Sequence, residues 1–170
     1  MNSYYSNRIE GQSTHPINID RALNANFSEK PDIAKRQRIA LAHIEAEKEL
    51  ESLGQSEATI LSSNFLKTAH TSLYGHLSEE DRISEDGTVV DPGALRMQDV
   101  AVYRHQPPTW ESVPLFLKRA DDVYARNWGL DKILIVAACA HHRFAWFEAP
   151  CSFPSGCKTA TECWLQTTTP

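Results

Sequence analysis

Ser6 and Glu10 stand four residues apart near the start of the chain, in Ser-Asn-Arg-Ile-Glu-Gly (6–11). In a helical turn this spacing puts both side chains on one face, with Cβ atoms roughly 5–6 Å apart. Gly11 is then placed to close the turn as a C-terminal cap. Far along the chain, His141 and His142 precede Arg143, and Cys151, Cys157 and Cys163 recur at intervals of six. Imidazole exchanges protons near neutral pH, and thiolates hold zinc when they come as close Cys-x₂₋₄-Cys pairs. Equal intervals of six are not that pattern, so no metal site is expected of these cysteines. The two histidines lie in an apolar run, so at least one is expected against the core rather than as a ligand or base. Taken alone, Ser6 and Glu10 form an ordinary solvated turn.

The bulk properties exclude several classes of function. A chain of 170 residues suits one domain and can bury roughly 70% of its unfolded surface. A net charge of −5 and a pI near 5.8 argue against nucleic acid as a partner. The basic residues of Ala-Lys-Arg-Gln-Arg (34–38) alternate with others and read as a solvated helix face. The longest apolar run, Ile-Leu-Ile-Val-Ala-Ala-Cys-Ala (133–140), is well short of the roughly 20 residues that cross a bilayer. The N-terminus is polar and carries Glu10, unlike a signal peptide. No membrane partner and a cytoplasmic location are expected.

Four helices follow from the apolar spacing. The first covers 32–53: Asp32 follows Pro31, apolar residues recur at Leu41, Ile44, Leu50 and Leu53, and Gly54 stops it. The second covers 57–77, with Leu61, Phe65, Ala69, Leu73 and Leu77 at intervals of four and Ser56 as cap. The third covers 110–126 on Val113, Phe116, Leu117, Ala120, Val123 and Tyr124, capped by Thr109 or Ser112. Pro114 places its regular start near Val113. The fourth covers 130–147 and is apolar all round between Ile133 and Ala140, as befits a helix packed on several sides. Between the second and third, Asp-Gly, Pro-Gly and Pro-Pro punctuate two short strands, 88–90 and 100–103, expected to form one irregular hairpin.

Three stretches carry a resemblance, in order. Leu-Ile-Val-Ala-Ala-Cys-Ala-His-His-Arg-Phe-Ala-Trp (134–146) closely resembles the helix that leads into the active site of Fic-domain proteins. These bacterial and eukaryotic enzymes move AMP from ATP onto a hydroxyl side chain of a target protein. Residues 91–108, from Asp-Pro-Gly-Ala-Leu-Arg, look like that family's flap, a hairpin with a Pro-Gly-x-x-Arg start. Residues 6–11 are similar to its inhibitory motif, Ser/Thr-x-x-x-Glu-Gly/Asn, in the subclass that carries it N-terminally, and 30–51 look right for the helix that follows. The resemblance covers about residues 3–147. It implies that Glu10, supported by Ser6 and followed by Gly11, pairs with an active-site arginine in place of the ATP γ-phosphate, a bidentate and charge-assisted contact. It implies that Gly93, Arg96, Val100 and Val102 belong to a flap that docks the target by strand addition. ATP and Mg²⁺ are the cofactors of intact relatives.

The catalytic signature of that family is His-Pro-Phe-x-Asp/Glu-Gly-Asn-Gly-Arg, one residue beyond the equivalent of Trp146. The histidine is the general base, the acid holds Mg²⁺, the glycine turn offers N–H groups to phosphate and the arginine binds the remaining charge. Here Phe147, Glu148, Ala149 and Pro150 follow Trp146, so Glu148 occupies the histidine position. No Gly-Asn-Gly follows, and no arginine occurs after Arg143. His142, in His-Arg-Phe (142–144), is no substitute, because Trp146 then takes the acid's place. The expectation is a mostly α-helical, incomplete Fic-like bundle with a small β-hairpin flap, and no AMP transfer. Residues 1–30 are expected as the inhibitory segment, 31–147 as the helical core with the flap at 84–106, and 148–170 as an aberrant, disordered tail. No productive binding of ATP or Mg²⁺ is expected. The alternative is a non-catalytic regulatory chain that binds a target protein at the flap edge. Helices beyond the lost signature are missing, so exposed apolar faces are expected to favour self-association, each exposed side chain forgoing about 1.5–3 kcal/mol.

Reading the stretch from Cys157 to Cys163 two bases out of frame permits Gln-Asp-Gly-Asn-Gly followed by Val or Met, close to the missing signature. A frameshifted or degraded gene is therefore expected. The coding nucleotide sequence should contain, downstream of Trp146, a frame encoding a Gly-Asn-Gly-Arg turn and further helices; finding none in any frame refutes it.

Overall fold

A computed structural model describes residues 15–84, 87–101 and 106–147. Six α-helices form among them: α1, Pro16–Leu23; α2, Pro31–Ser52; α3, Glu57–Ile60; α4, Ser63–Gly75; α5, Val113–Tyr124; and α6, Ile133–Phe147. Two 3₁₀ turns, Glu80–Arg82 and Trp110–Ser112, complete the regular structure. The protein is mostly helical, as the spacing of its apolar residues predicts. None of the described helices is long and apolar enough to cross a membrane.

Each helix starts and stops for a local reason. α2 has Pro31 in its first turn and Asp32 beside the positive helix end. It ends at Ser52, and after the C-cap Leu53 comes Gly54, which adopts φ +56°, a left-handed conformation that glycine accepts without strain. α5 begins at Val113, where Pro114 places it. The single helix expected over 57–77 is instead two. Ser62 caps α4 by accepting the Phe65 N–H at 3.1 Å, and Asp121 of α5 accepts both the Ser63 N–H and the Ser63 hydroxyl at 2.6 Å. A carboxylate at the start of α4 favours a helix end there, so the break is a tertiary effect that spacing alone does not reveal. α1 lies within residues 1–30, expected as the inhibitory segment and outside the four helices that the apolar spacing gives.

The expected hairpin is not formed among the described residues. Val89 pairs instead with Ile83 in one isolated antiparallel bridge, flanked by Ser84 N–H to Thr88 O at 2.9 Å and Val90 N–H to Arg82 O at 3.0 Å. The 88–90 stretch thus folds back on its own upstream neighbours, and 102–105 fall outside the described residues.

α2 packs along α4 and carries α1, while α5 joins α4 to α6. The main core gathers Leu50, Phe65, Leu66, Leu117 and Phe144 around the alanines Ala69, Ala120, Ala137 and Ala140. A smaller cluster sets Tyr74 and Leu77 of the α4 end against Ala42, Ala46 and Val90. α6 buries one stripe, Ala137, Ala140, Phe144 and Phe147. Its opposite flank is open: Leu134 and Ile135 are 69% and 68% exposed. The expectation of a helix packed on several sides is corrected to a one-sided contact, and the expected incomplete packing of this helix agrees with the exposed flank.

Polar side chains bridge the elements. Gln37 is fully buried, accepts the Ser28 N–H at 2.8 Å and donates to Asn18 O at 2.9 Å and Asn26 O at 3.3 Å. It ties residues 15–28 to α2, so that part of the expected N-terminal segment belongs with the helical body. Arg38, its side chain still 41% exposed, also ties two elements together. Its guanidinium grips buried Asp81 through Nε and Nη2 at 2.5 and 2.8 Å. Asp81 also accepts the Ser78 hydroxyl at 3.1 Å.

The Arg38 hydrogen bond holds the Asp81 carboxyl below its ordinary pKa although burial acts the other way. A depressed folded pKa means stability that is fully present above the unfolded value and lost as pH falls through the folded one. Asp81→Asn should cost about 1.5–3 kcal/mol at pH 7. The gap between variant and wild type should begin to narrow as pH falls through ~4 and keep narrowing towards the depressed folded pKa. Urea unfolding across pH checks both; a gap that does not narrow at all between pH ~6 and pH ~2.5 counts against the ion pair as its source.

Candidate functional site

Of the site residues expected from sequence, Ser6, Glu10, Gly11, Val102 and Glu148 lie outside the described residues, as do Cys151, Cys157 and Cys163. Gly93, Arg96 and Val100 lie within them, on the loop that runs from Asp91 towards α5. The structure gives Gly93 and Arg96 a shared task, which is to clasp this loop to the helical body at two points.

The first point is at α4. Gly93 donates its N–H to Nδ1 of His70 at 2.8 Å. The backbone reaches the helix only because residue 93 lacks a Cβ: one built there would stand 2.2 Å from Thr71 Oγ1. Thr71 is itself held, donating to Lys67 O at 2.8 Å. Gly93 also adopts φ +77°, which disfavours any side chain. His70 is buried and stacks on Tyr74 with ring centroids 4.4 Å apart. A gap of only about 10 Å³ remains between Leu66, His70, Gly93, Leu95 and Leu117, at most room for one water.

The second point is at the end of α6. Arg96 is buried, and its guanidinium donates to Gln98 O at 2.9 Å, to Pro108 O and to Phe147 O at 3.4 Å. Asp99 stands 3.8 Å away, well exposed, and accepts the Trp110 N–H at 2.8 Å. Phe147 is the last residue of α6, so its carbonyl carries part of the negative end of the helix dipole and suits a cation. Arg96 therefore faces inward and holds main chain. Outward, Met97, Gln98, Asp99 and Ala101 are exposed and Val100 is half-buried.

The histidines are distributed otherwise than expected. His142 is exposed and His141 half-buried, while His43 of α2 and His70 of α4 are the buried pair. Burial pushes the His43 and His70 imidazoles down to about 4, with Asp91 acting against burial at His70. Both are thus neutral near pH 7. No sequence signal marked His70, because its partner lies 23 residues away on a loop. His142 instead lines an open groove of about 560 Å³ on the outer face of α6, with Tyr124, Leu134, Ile135, Cys139 and Arg143. Among the described residues no three His, Cys, Asp or Glu side chains converge as metal ligands.

Chemically, the clasp directs a cation and a neutral imidazole at backbone atoms and so fixes the loop. No family model matches the chain, and neither a curated protein nor a solved structure matches it.

Gly93→Ala should destabilise the protein by about 1–3 kcal/mol through left-handed backbone strain and the contact with Thr71. Thr71→Ala should relieve the contact and leave only the strain, so the double variant should cost less than the sum of the singles. Denaturant unfolding of the four proteins checks this; strict additivity excludes the Thr71 contact.

Proposed function

We propose that this chain derives from the Fic family of AMP-transferring proteins and does not itself transfer AMP. The observation that carries this is the ordered trio of Ser-x-x-x-Glu-Gly (6–11), Pro-Gly-x-x-Arg (92–96) and Leu-Ile-Val-Ala-Ala-Cys-Ala-His-His-Arg-Phe-Ala-Trp (134–146), followed by no His-Pro-Phe-x-Asp/Glu-Gly-Asn-Gly-Arg. The link from Arg96 to Phe147 O supports it. It brings the start of the flap-like stretch to the residue just before the place where the signature would stand.

Glu148 in place of the histidine is a poor base for a hydroxyl. It has no neighbouring acid for Mg²⁺ and no glycine turn for phosphate in the sequence after it. What such a chain retains is binding, and the exposed edge at Met97–Ala101 is the surface it offers to an extended target segment. Self-association through the open flank of α6 belongs to the same proposal.

Incubation with radiolabelled ATP and Mg²⁺ in a cell lysate should label no protein above background, for the wild type and for Glu10→Gly alike. In an intact enzyme the substitution would release activity by freeing the phosphate-binding arginine. Label that depends on this protein and on Mg²⁺ overturns the proposal.

A further inference from the structure

The contact between His70 and Gly93 depends on protonation in a way the Arg96 contact does not. Nδ1 accepts an N–H only while it carries no proton. Once protonated, Nδ1–H and the Gly93 N–H are two donors facing one another at 2.8 Å. The bond cannot survive this, and the surroundings offer little slack: the gap at this point is about 10 Å³ and Thr71 packs so close to Gly93 that a Cβ there would stand 2.2 Å from its Oγ1. An arginine, by contrast, stays charged throughout the accessible pH range, so the Arg96 anchor persists in acid.

The geometry points to His70 as a proton-operated latch: protonation releases the Gly93 end of the loop from α4 while Arg96 keeps the other end on α6. The titratable and charged groups around it fit this role. Asp91, two residues before Gly93, favours the imidazolium and is the carboxylate to which a released, charged His70 can turn. From its own helix come Lys67, which lines the same gap, and Tyr74, which stacks on the ring. α5 presents apolar Leu117. The buried or half-buried charged and titratable groups of α2 are Lys35, Arg38, His43 and Glu47; Arg38 is held by Asp81, and His43 and Glu47 stand 3.9 Å apart.

The sign follows from burial. The folded pKa of His70 lies near 4, below an unfolded value of about 6.5. Closure is therefore favoured above pH ~6.5 and progressively lost as pH falls towards 4. Linkage over that interval makes the Gly93 end at least about tenfold easier to open at pH 5 than at pH 7.

Amide hydrogen exchange on the full chain, corrected for intrinsic rates, tests the latch. Protection of the Gly93 amide should fall at least about tenfold from pH 7 to pH 5, while that of Ala40, buried in α2, changes far less. His70→Asn supplies an acceptor that does not titrate and should keep Gly93 protected at pH 5; His70→Leu should leave it unprotected at both. Parallel loss at Gly93 and Ala40 in the wild type, or undiminished acid loss in His70→Asn, overturns the inference. If the variants do not fold, the wild-type imidazole ¹⁵N spectrum decides: a bare Nδ1 at pH 7 supports the latch, and a protonated Nδ1 at pH 7 sinks it.

Discussion

A guanidinium taken out of water must be satisfied where it lies, at a cost of several kcal/mol if it is not. Arg96 is such a group, and carbonyls from three parts of the chain meet it: Gln98 beside it, Pro108 before α5 and Phe147 at the end of α6. The exposed Asp99 at 3.8 Å adds little, because water screens it. The cation is thus held mainly by peptide dipoles, the last of them reinforced by the α6 helix. Hydrogen bonds to main chain define position more tightly than a surface ion pair does. The path of the loop, the entry into α5 and the end of α6 are set by one side chain.

The same device recurs through the body. The helices meet largely through alanine: Ala42 and Ala46 in α2, Ala69 in α4, Ala120 in α5, Ala137 and Ala140 in α6. Small residues let axes approach closely but interlock weakly, so packing of this kind specifies register poorly. Polar bridges supply what the alanines lack. Gln37 fixes α1 and the 24–28 turn on α2, Asp121 fixes the start of α4 against α5, and Arg38 with Asp81 fixes the 3₁₀ turn on α2. A buried polar group is costly in every arrangement but the one that satisfies it, and that selects a single arrangement.

This division explains what was legible in the sequence. α2, α5 and α6 could be read from apolar spacing and from Pro31, Gly54 and Pro114, because those signals act within a few residues. α1 was hidden because its apolar face is two residues, Ile19 and Ala22, and its anchor, Gln37, is polar and 19 residues from Asn18. The break before α4 was hidden because its cause, Asp121, lies 58 residues downstream. The pairing of Arg38 was hidden because a single charged residue in a helix says nothing of a carboxylate 43 positions away. At the site, Gly93 and Arg96 were visible as a pattern but not in their roles, and His70 was not visible at all.

The two ends of the clasp differ in kind, and that difference bears on what the loop can do. At Arg96 the bonds use a permanent charge and survive any pH at which the helices survive. At Gly93 the bond uses a neutral acceptor that burial keeps neutral and that Asp91 pulls the other way. Its strength therefore reports the local solvation of α4. Anything that wets the gap beside Leu66 and Leu117 raises the proton affinity of His70 and weakens its hold. The largely exposed stretch from Met97 to Ala101 lies beyond the Arg96 anchor. Opening at Gly93 therefore loosens the loop on the α4 side without detaching it from α6. The loop thus has one fixed attachment and one adjustable attachment, and chemistry assigns the adjustable one to the histidine.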